Sequence, residues 1–183
     1  MFKGLTIEME LKGPFGYVYI CAMAESLQVS TAFDKRTKYQ VLIPQMQALI
    51  DPRAHFVANS GNLLAALRQT FGWWWIGVYM IRNGKLELGP FQGPIACTVI
   101  ERGKGVCGSS WEKAQTLLVP DVDLFPGHIA CSSASRSEIV VPIFKNNEII
   151  GVLDADSEHL NHFDEVDQQF LEQIAVLFAD CYA

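Results

Sequence analysis

Apolar residues recur at three- and four-residue steps in the first regular part of the chain and again near its end, which predicts helices there. The first helix starts at about Lys35 and ends before Asp51-Pro52, and the second ends at Gly72, a residue suited to a helix C-terminus. A closing helix starts near Asp164. The apolar faces of these three helices comprise Phe33, Tyr39, Leu42, Ile43, Met46, Leu49 and Ile50; Val57, Leu63, Leu64, Leu67 and Phe71; and Phe170, Leu171, Ile174, Leu177 and Phe178.

Between these helices the chain turns to aromatic and β-branched residues, which predict strands. Residues 73–81 form the first candidate, and the Asn83-Gly84 pair that follows is the signal of a tight hairpin. Further strands are predicted at 86–88, 96–100, 116–120, 138–144 and 148–154, with a turn at 145–147. The predicted fold class is therefore α+β, a central antiparallel sheet with the N- and C-terminal helices packed on one face.

Length and composition favour one domain, at residues 35–183, preceded by an extension at residues 1–34. A chain of 183 residues of which 50% are apolar can bury one sizeable core. In the extension, the apolar run 15–24 ends in a small-x-small pattern typical of a signal-peptidase site, but Glu8 and Glu10 stand where a signal peptide is basic. We therefore expect a poorly ordered extension in which Met23 is an alternative start.

Net charge and cysteine number limit the class of partner. A formal net charge of -6 and a pI near 5.1 disfavour nucleic acid and membranes as partners. Five cysteines are an odd number in a chain that can build its own core, which argues against a structural disulfide framework. The expectation is a reducing, cytoplasmic location and a small-molecule or protein partner.

The second half of the chain gathers thiols and acids that are suited to redox chemistry. The thiols lie among glycines and other small residues, where backbone can approach a ligand closely. Each of them, read alone, is more often a small buried hydrophobe, which is the interpretation given to Cys21 and Cys181. The set as a whole predicts redox chemistry on a small molecule, and it comprises Cys97, Cys107, Cys131, Glu138, Asp154 and Asp156.

Residues 103–108 match the G-x-G-x-x-G pattern of dinucleotide-binding folds, with Asp121 and Asp123 about where a ribose-binding acid would lie. Such folds need parallel strand-helix-strand units, whereas hairpins dominate here. The only helix room after the glycines is 109–114, so a tight loop leading into a short helix is expected instead.

Zinc is the second alternative, since Cys97, Cys107, Cys131 and His128 are ligands of acceptable type. Structural zinc sites present ligands in close pairs, and only His128 and Cys131 are close in sequence. We therefore expect no metal ligands among the site residues.

Several segments taken together resemble the free methionine-(R)-sulfoxide reductase family of GAF-domain enzymes. They are 73–79 (WWWIGVY), 89–97 (GPFQGPIAC), 103–108 (GKGVCG), 128–142 (HIACSSASRSEIVVP) and 151–157 (GVLDADS). The resemblance covers the chain from about Tyr39 to its end. It implies a GAF fold and reduction of free methionine-(R)-sulfoxide to methionine.

The resemblance also implies roles for the cysteines. Cys131 matches the nucleophile, whose attack leaves a sulfenic acid that a second thiol condenses to a disulfide. Cys97 is the first choice and Cys107 the second for that resolving thiol, and the sequence leaves both open. The implied reductant is external, thioredoxin with NADPH and thioredoxin reductase, and no bound cofactor is expected.

The acids and aromatic residues complete the expected site. Asp154 or Asp156 would pair with the α-ammonium group that only a free amino acid carries, while crowding would keep Glu138 protonated as proton donor. Trp75 and Tyr79 match pocket positions that contact the methyl group and sulfur. The rival interpretation is a noncatalytic GAF module that binds a small ligand or senses redox state, and the terminal helices offer a surface for a homodimer.

Overall fold

The structure of the chain, a computed structural model, describes residues 27–127 and 134–182. The predictions about the apolar run 15–24, Met23, Cys21, His128 and Cys131 therefore lie outside the described residues. The helices of the described part are α1 (Lys35–Leu49), α2 (Phe56–Phe71), α3 (Gly105–Lys113) and α4 (Glu165–Cys181), with a 3-10 turn at Val122–Leu124. Its strands are β1 (Trp75–Arg82), β2 (Lys85–Gln92), β3 (Val99–Ile100), β4 (Leu117–Val119), β5 (Ser137–Lys145) and β6 (Glu148–Ser157).

The strands form one antiparallel sheet in the order β3-β2-β1-β6-β5-β4. Two tight hairpins build most of it, and their turn residues have the positive φ angles that such turns require: 49° at Asn83 and 74° at Gly84, and 52° at Asn146 and 64° at Asn147. Both turns were predicted from the sequence. The α+β fold class is confirmed.

A local capping residue fixes one end of each long helix near the position that the sequence pattern indicated. Thr37 donates its backbone N–H to the Asp34 carboxylate at 2.7 Å, which caps the start of α1. Gly72, with a φ of 70°, stops α2. Asp164 begins α4 with a capping box that Asp167 completes.

Strand alternation divides the apolar residues between two faces of the sheet. Ile76, Val78 and Met80 of β1 face the larger core, where α1, α2 and α4 pack. The predicted packing of terminal helices on one face is thereby confirmed. Trp75 and Tyr79 of the same strand point to the other face, which α3 covers.

The short helix and the strand before it differ from the sequence prediction. α3 begins at Gly105 rather than near residue 109, so Cys107 lies in its first turn. Gly108 allows this because a Cβ there would be 2.3 Å from the Glu101 carbonyl oxygen, so only glycine lets the helix pack this closely. The strand predicted at 96–100 is reduced to Val99–Ile100.

Residues 27–34, which the sequence assigned to the extension, lie against the helical layer. Leu27 and Val29 pack on the larger core, and the backbone N–H of Gln28 donates to the Gln45 side chain at 2.8 Å. Among the described helices, none has the length and apolar character needed to cross a bilayer.

Candidate active site

Three acids lie side by side on the sheet face that α3 covers. Glu138 of β5 pairs directly with Asp156 of β6, and Asp154 lies two residues earlier on β6. Because alternate residues of a strand share a face, the three carboxyl groups point the same way. On its other edge β6 pairs with β1, where Trp75 is opposite Asp156 and Gly77 is opposite Asp154.

These acids form the floor of a pocket between the sheet, α3 and the loop after β2. The empty space of the pocket is about 590 Å³, a volume that includes solvent at its open side. It brings together most of the predicted site residues. Its lining comprises Trp74, Trp75, Tyr79, Pro94, Ile95, Ala96, Ile100, Lys104, Gly105, Val106, Cys107, Ser135, Glu138, Asp154 and Asp156.

Hydrogen bonds connect the acids to their neighbours. The Cys107 thiol donates to Asp154 Oδ2 at 3.2 Å, and its Sγ lies 3.9 Å from Glu138 Oε1. The Ser135 hydroxyl donates to Asp156 Oδ1. The other carboxylate oxygen of Asp154, Oδ1, is buried and has no hydrogen-bond partner among the described residues.

Burial and crowding change the protonation of all three acids. Burial, followed by repulsion from Asp154 and Asp156, raises the pKa of Glu138 well above its usual value. Burial and the nearby Asp156 raise the pKa of Asp154 in the same direction. Burial raises the pKa of Asp156 to about 6, against an opposing effect of the Ser135 hydroxyl. Near neutral pH, Asp156 is therefore the acid of the three that most readily carries charge.

Three stacked aromatic side chains, Trp75, Tyr79 and Phe91, lie beside the acids and are called the aromatic wall. Trp75 stacks on Tyr79 with ring centroids 6.0 Å apart and on Phe91 at 5.6 Å. A Cβ at Gly77 would lie 2.3 Å from the end of the Trp75 ring, so this glycine makes room for the indole. The sequence had indicated Trp75 and Tyr79 but not Phe91 or Gly77.

The same aromatic side chains hold the loop that carries Cys97. The Trp75 indole N–H donates to the Pro94 carbonyl at 3.1 Å, and the Tyr79 hydroxyl donates to the Cys97 carbonyl at 3.1 Å. Cys97 itself is half-buried and disulfide-bonded. These two hydrogen bonds therefore hold Cys97, a residue capable of redox chemistry, at the edge of the pocket.

Cys107 has a different environment from Cys97. It is a free thiol and only 4% exposed. Burial raises the pKa of this thiol, the charges of Asp154 and Glu138 raise it further, and a thiol with a raised pKa is less reactive. Cys181, the other free thiol among the described residues, is buried in the larger core, on the face of the sheet opposite to Cys107. Cys131, the predicted nucleophile, lies outside the described residues.

Two polar residues of the pocket were missed by sequence reasoning. Ser135, which holds Asp156, lies inside a segment that carried the family resemblance, yet serine offers no signal of its own. Lys104 lines the pocket from the position before α3, where a lone lysine is indistinguishable from a surface residue. Two members of the zinc set considered from the sequence, His128 and Cys131, lie outside the described residues, so that set stays untested. Within the described residues, Cys107, Glu138 and Asp154 offer metal-ligand atoms close together.

Comparison with known proteins places this fold and pocket in context. A sequence model of the GAF domain matches residues 60–181. The chain is 51% identical over 156 residues to GAF domain-containing protein A of Dictyostelium discoideum, covering 85% of this chain and 98% of that protein. It is 42% identical over 142 residues to the free methionine-R-sulfoxide reductase of Escherichia coli K12, covering 77% and 86%. The structure of free methionine-R-sulfoxide reductase from Neisseria meningitidis, in complex with its substrate, is similar with a TM-score of 0.82 and 48% identity, covering 86% of this chain and 95% of that one.

Proposed function

The chain belongs to the GAF-domain family of free methionine-R-sulfoxide reductases, and from that premise we propose that it reduces free methionine-(R)-sulfoxide to methionine. The observation that carries the proposal is the pocket, in which two buried acids, the half-buried Asp156 and an aromatic wall adjoin the loop of Cys97. Reduction of a free amino acid sulfoxide needs each of these features. A carboxylate pairs with the ammonium group, an acid donates a proton to the oxygen, an apolar surface contacts the methyl group, and a cysteine takes part in the redox step.

The first step is attack by the Cys131 thiolate on the sulfoxide sulfur. The S–O bond of the substrate breaks, the oxygen is transferred to the Cys131 sulfur as a sulfenic acid, and methionine leaves, so the substrate gains two electrons and the thiol loses two. A proton must reach the oxygen during this transfer. Glu138 is suited to supply it, because burial and neighbouring acids raise its pKa and keep its carboxyl group protonated.

The second step is condensation of the sulfenic acid with a thiol, which forms a disulfide and releases water. We assign this role to Cys97 rather than Cys107. Cys97 is disulfide-bonded at the edge of the pocket, and we propose that Cys131 is its partner. Cys107 is a free thiol enclosed by Asp154 and Glu138, where burial and then repulsion from these acids raise its pKa and oppose formation of a thiolate. An external dithiol, which we take to be thioredoxin supplied by NADPH and thioredoxin reductase, then reduces the disulfide by exchange.

Selectivity for the free amino acid follows from the charge of the pocket floor. Asp156 is half-buried and titrates at about 6, so it is mostly ionised near neutral pH and suited to pair with the α-ammonium group. The same sulfoxide inside a polypeptide presents a neutral amide and would leave this carboxylate buried without a counter-charge. Asp154 contributes through its unpartnered oxygen, Oδ1, which can accept from the same ammonium group.

Turnover by purified protein tests the proposal. With thioredoxin, thioredoxin reductase and NADPH, we expect NADPH oxidation with free methionine-(R)-sulfoxide, and none with the S epimer or a peptide-bound sulfoxide. Cys131→Ser should abolish the reaction, with Cys181→Ser as the matched control that retains it. Binding of the sulfoxide without turnover would instead support the noncatalytic GAF module, a function suggested by a 38% identical structure described as a putative GAF sensor protein from Burkholderia vietnamiensis.

A further inference from the structure

The floor of the pocket places one thiol and two carboxylates together. The Sγ of Cys107 and one carboxylate oxygen each of Glu138 and Asp154 all lie within 4.8 Å of one another. They come from α3, β5 and β6, so only the fold brings them together and no short sequence motif predicts the cluster. Thiolate and carboxylate are both ligand types that zinc accepts.

The distances between these atoms fit a shared metal ion. Zinc binds thiolate sulfur at about 2.3 Å and carboxylate oxygen at about 2.0–2.2 Å, so a tetrahedral site separates sulfur from oxygen by about 3.5–3.7 Å. Here the Sγ of Cys107 lies 3.2 Å from Asp154 Oδ2 and 3.9 Å from Glu138 Oε1. One distance is shorter and the other longer than the required value. Side-chain rotations that move these atoms by a few tenths of an ångström would bring both to it.

An unsatisfied atom gives independent support for a ligand at this position. Asp154 is only 6% exposed, and its Oδ1 has no hydrogen-bond partner among the described residues. A buried carboxylate oxygen without a partner is costly, and a bound ion is one of the recognised explanations for such an atom in a native structure. A cation that Asp154 binds through both carboxylate oxygens, Oδ2 beside Cys107 and the unpartnered Oδ1, would satisfy it.

We propose that Cys107, Glu138 and Asp154 form a binding site for a divalent cation of the zinc class. Binding releases the proton of the Cys107 thiol and that of the Glu138 carboxyl group, and the dication then offsets the repulsion among the three negative groups that result. The thiolate favours Zn²⁺ over the hard cations Mg²⁺ and Ca²⁺. All three residues line the pocket, so the ion enters from it and keeps a coordination position facing it for water.

An occupied site would take up two acids to which the proposed reduction assigns roles, so zinc would exclude the sulfoxide. Binding of the ion itself does not depend on that reaction. It can therefore be measured on the protein without substrate or reductant, and its failure would leave the proposed reduction standing.

The experiment is a titration of the full chain with Zn²⁺ by calorimetry and with Co²⁺ by absorption, in non-reducing buffer that keeps the disulfide of Cys97 intact. Co²⁺ reports the ligand directly, because a thiolate ligand produces a charge-transfer band in the near ultraviolet. Cys107→Ser is the test variant. Cys181→Ser is the matched control, since it removes the other free buried thiol of the described residues and no proposed ligand.

We expect one Zn²⁺ per chain and a thiolate–Co²⁺ band in the wild type and in Cys181→Ser. Cys107→Ser should lose the band, and Asp154→Asn and Glu138→Gln should weaken Zn²⁺ binding at least tenfold while remaining folded by circular dichroism. Equal Zn²⁺ affinity in the wild type, Asp154→Asn and Glu138→Gln would overturn the proposal, as would a wild-type complex with Co²⁺ that shows no thiolate band.

Discussion

Replacement of Asp156 by asparagine separates the function of the pocket from the stability of the fold. The substitution keeps the shape of the side chain and an oxygen that accepts from Ser135, but it removes the charge. If Asp156 binds the α-ammonium group, the variant loses activity. Because an ionised acid is disfavoured at this half-buried position, the same variant should gain stability.

The sizes of both effects follow from the environment of Asp156. Burial raises its pKa from 3.8 to about 6, and each unit corresponds to about 1.4 kcal/mol, so ionisation at pH 7 costs the fold at most about 3 kcal/mol. Since the side chain is half-buried, we expect Asp156→Asn to stabilise by about 1–2 kcal/mol, or about 2–8 °C in Tm. Loss of one partner from a desolvated ion pair costs about 2 kcal/mol or more, which is about 30-fold in kcat/KM.

The raised pKa of Asp156 also fixes how the stability of the wild type changes with pH. A folded-state pKa above the unfolded value makes the wild type lose stability as pH rises from about 4 through about 6, and the variant lacks this loss. The ionised fraction of Asp156 falls about tenfold between pH 7 and pH 5, and the activity advantage of the wild type should shrink with it.

The assay is kcat/KM for free methionine-(R)-sulfoxide at pH 5, 6 and 7, with thermal unfolding of the same samples in buffer containing EDTA. Taking the ratio of wild type to variant cancels the pH dependence of the reductant. A variant within twofold of the wild type at pH 7, or a variant that loses activity and stability together, would refute this account of Asp156.

Three further substitutions address other parts of the molecule. Cys97→Ser should form one methionine per chain in a rapid burst and then stall, because the sulfenic acid has no resolving thiol; continued turnover with thioredoxin would contradict this role. Gly77→Ala should raise KM about tenfold, because its Cβ would lie 2.3 Å from the Trp75 ring and displace it from the pocket, and an unchanged KM would show that the ring position is unimportant. Tyr39→Phe should destabilise the fold by about 1–3 kcal/mol by removing the 2.8 Å hydrogen bond to buried Asp167, with kcat/KM unchanged because that bond lies in the helical layer; denaturant unfolding measures the first and steady-state assays the second.

The elements that the sequence predicted well are those whose signals are local. The faces of α1, α2 and α4 repeat at helical spacing, and their caps at Asp34, Gly72 and Asp164 lie within a few residues of the positions they cap. The start of α3 was placed wrongly for the converse reason. Gly108 resembles a loop residue in sequence, but it is needed because the helix packs against the Glu101 carbonyl, a contact formed only on folding.

The sequence by itself determined the fold class, the hairpins and the identity of the acids, thiols and aromatic residues, because these follow from periodicity, turn chemistry and recognisable segments. Only the tertiary structure decided how they combine. The register of β5 against β6 sets Glu138 opposite Asp156, and α3 closes over them with Cys107, which buries the acids and raises their pKa values. Burial and charge repulsion depend on distances between residues far apart in the chain, so these properties belong to the folded protein alone.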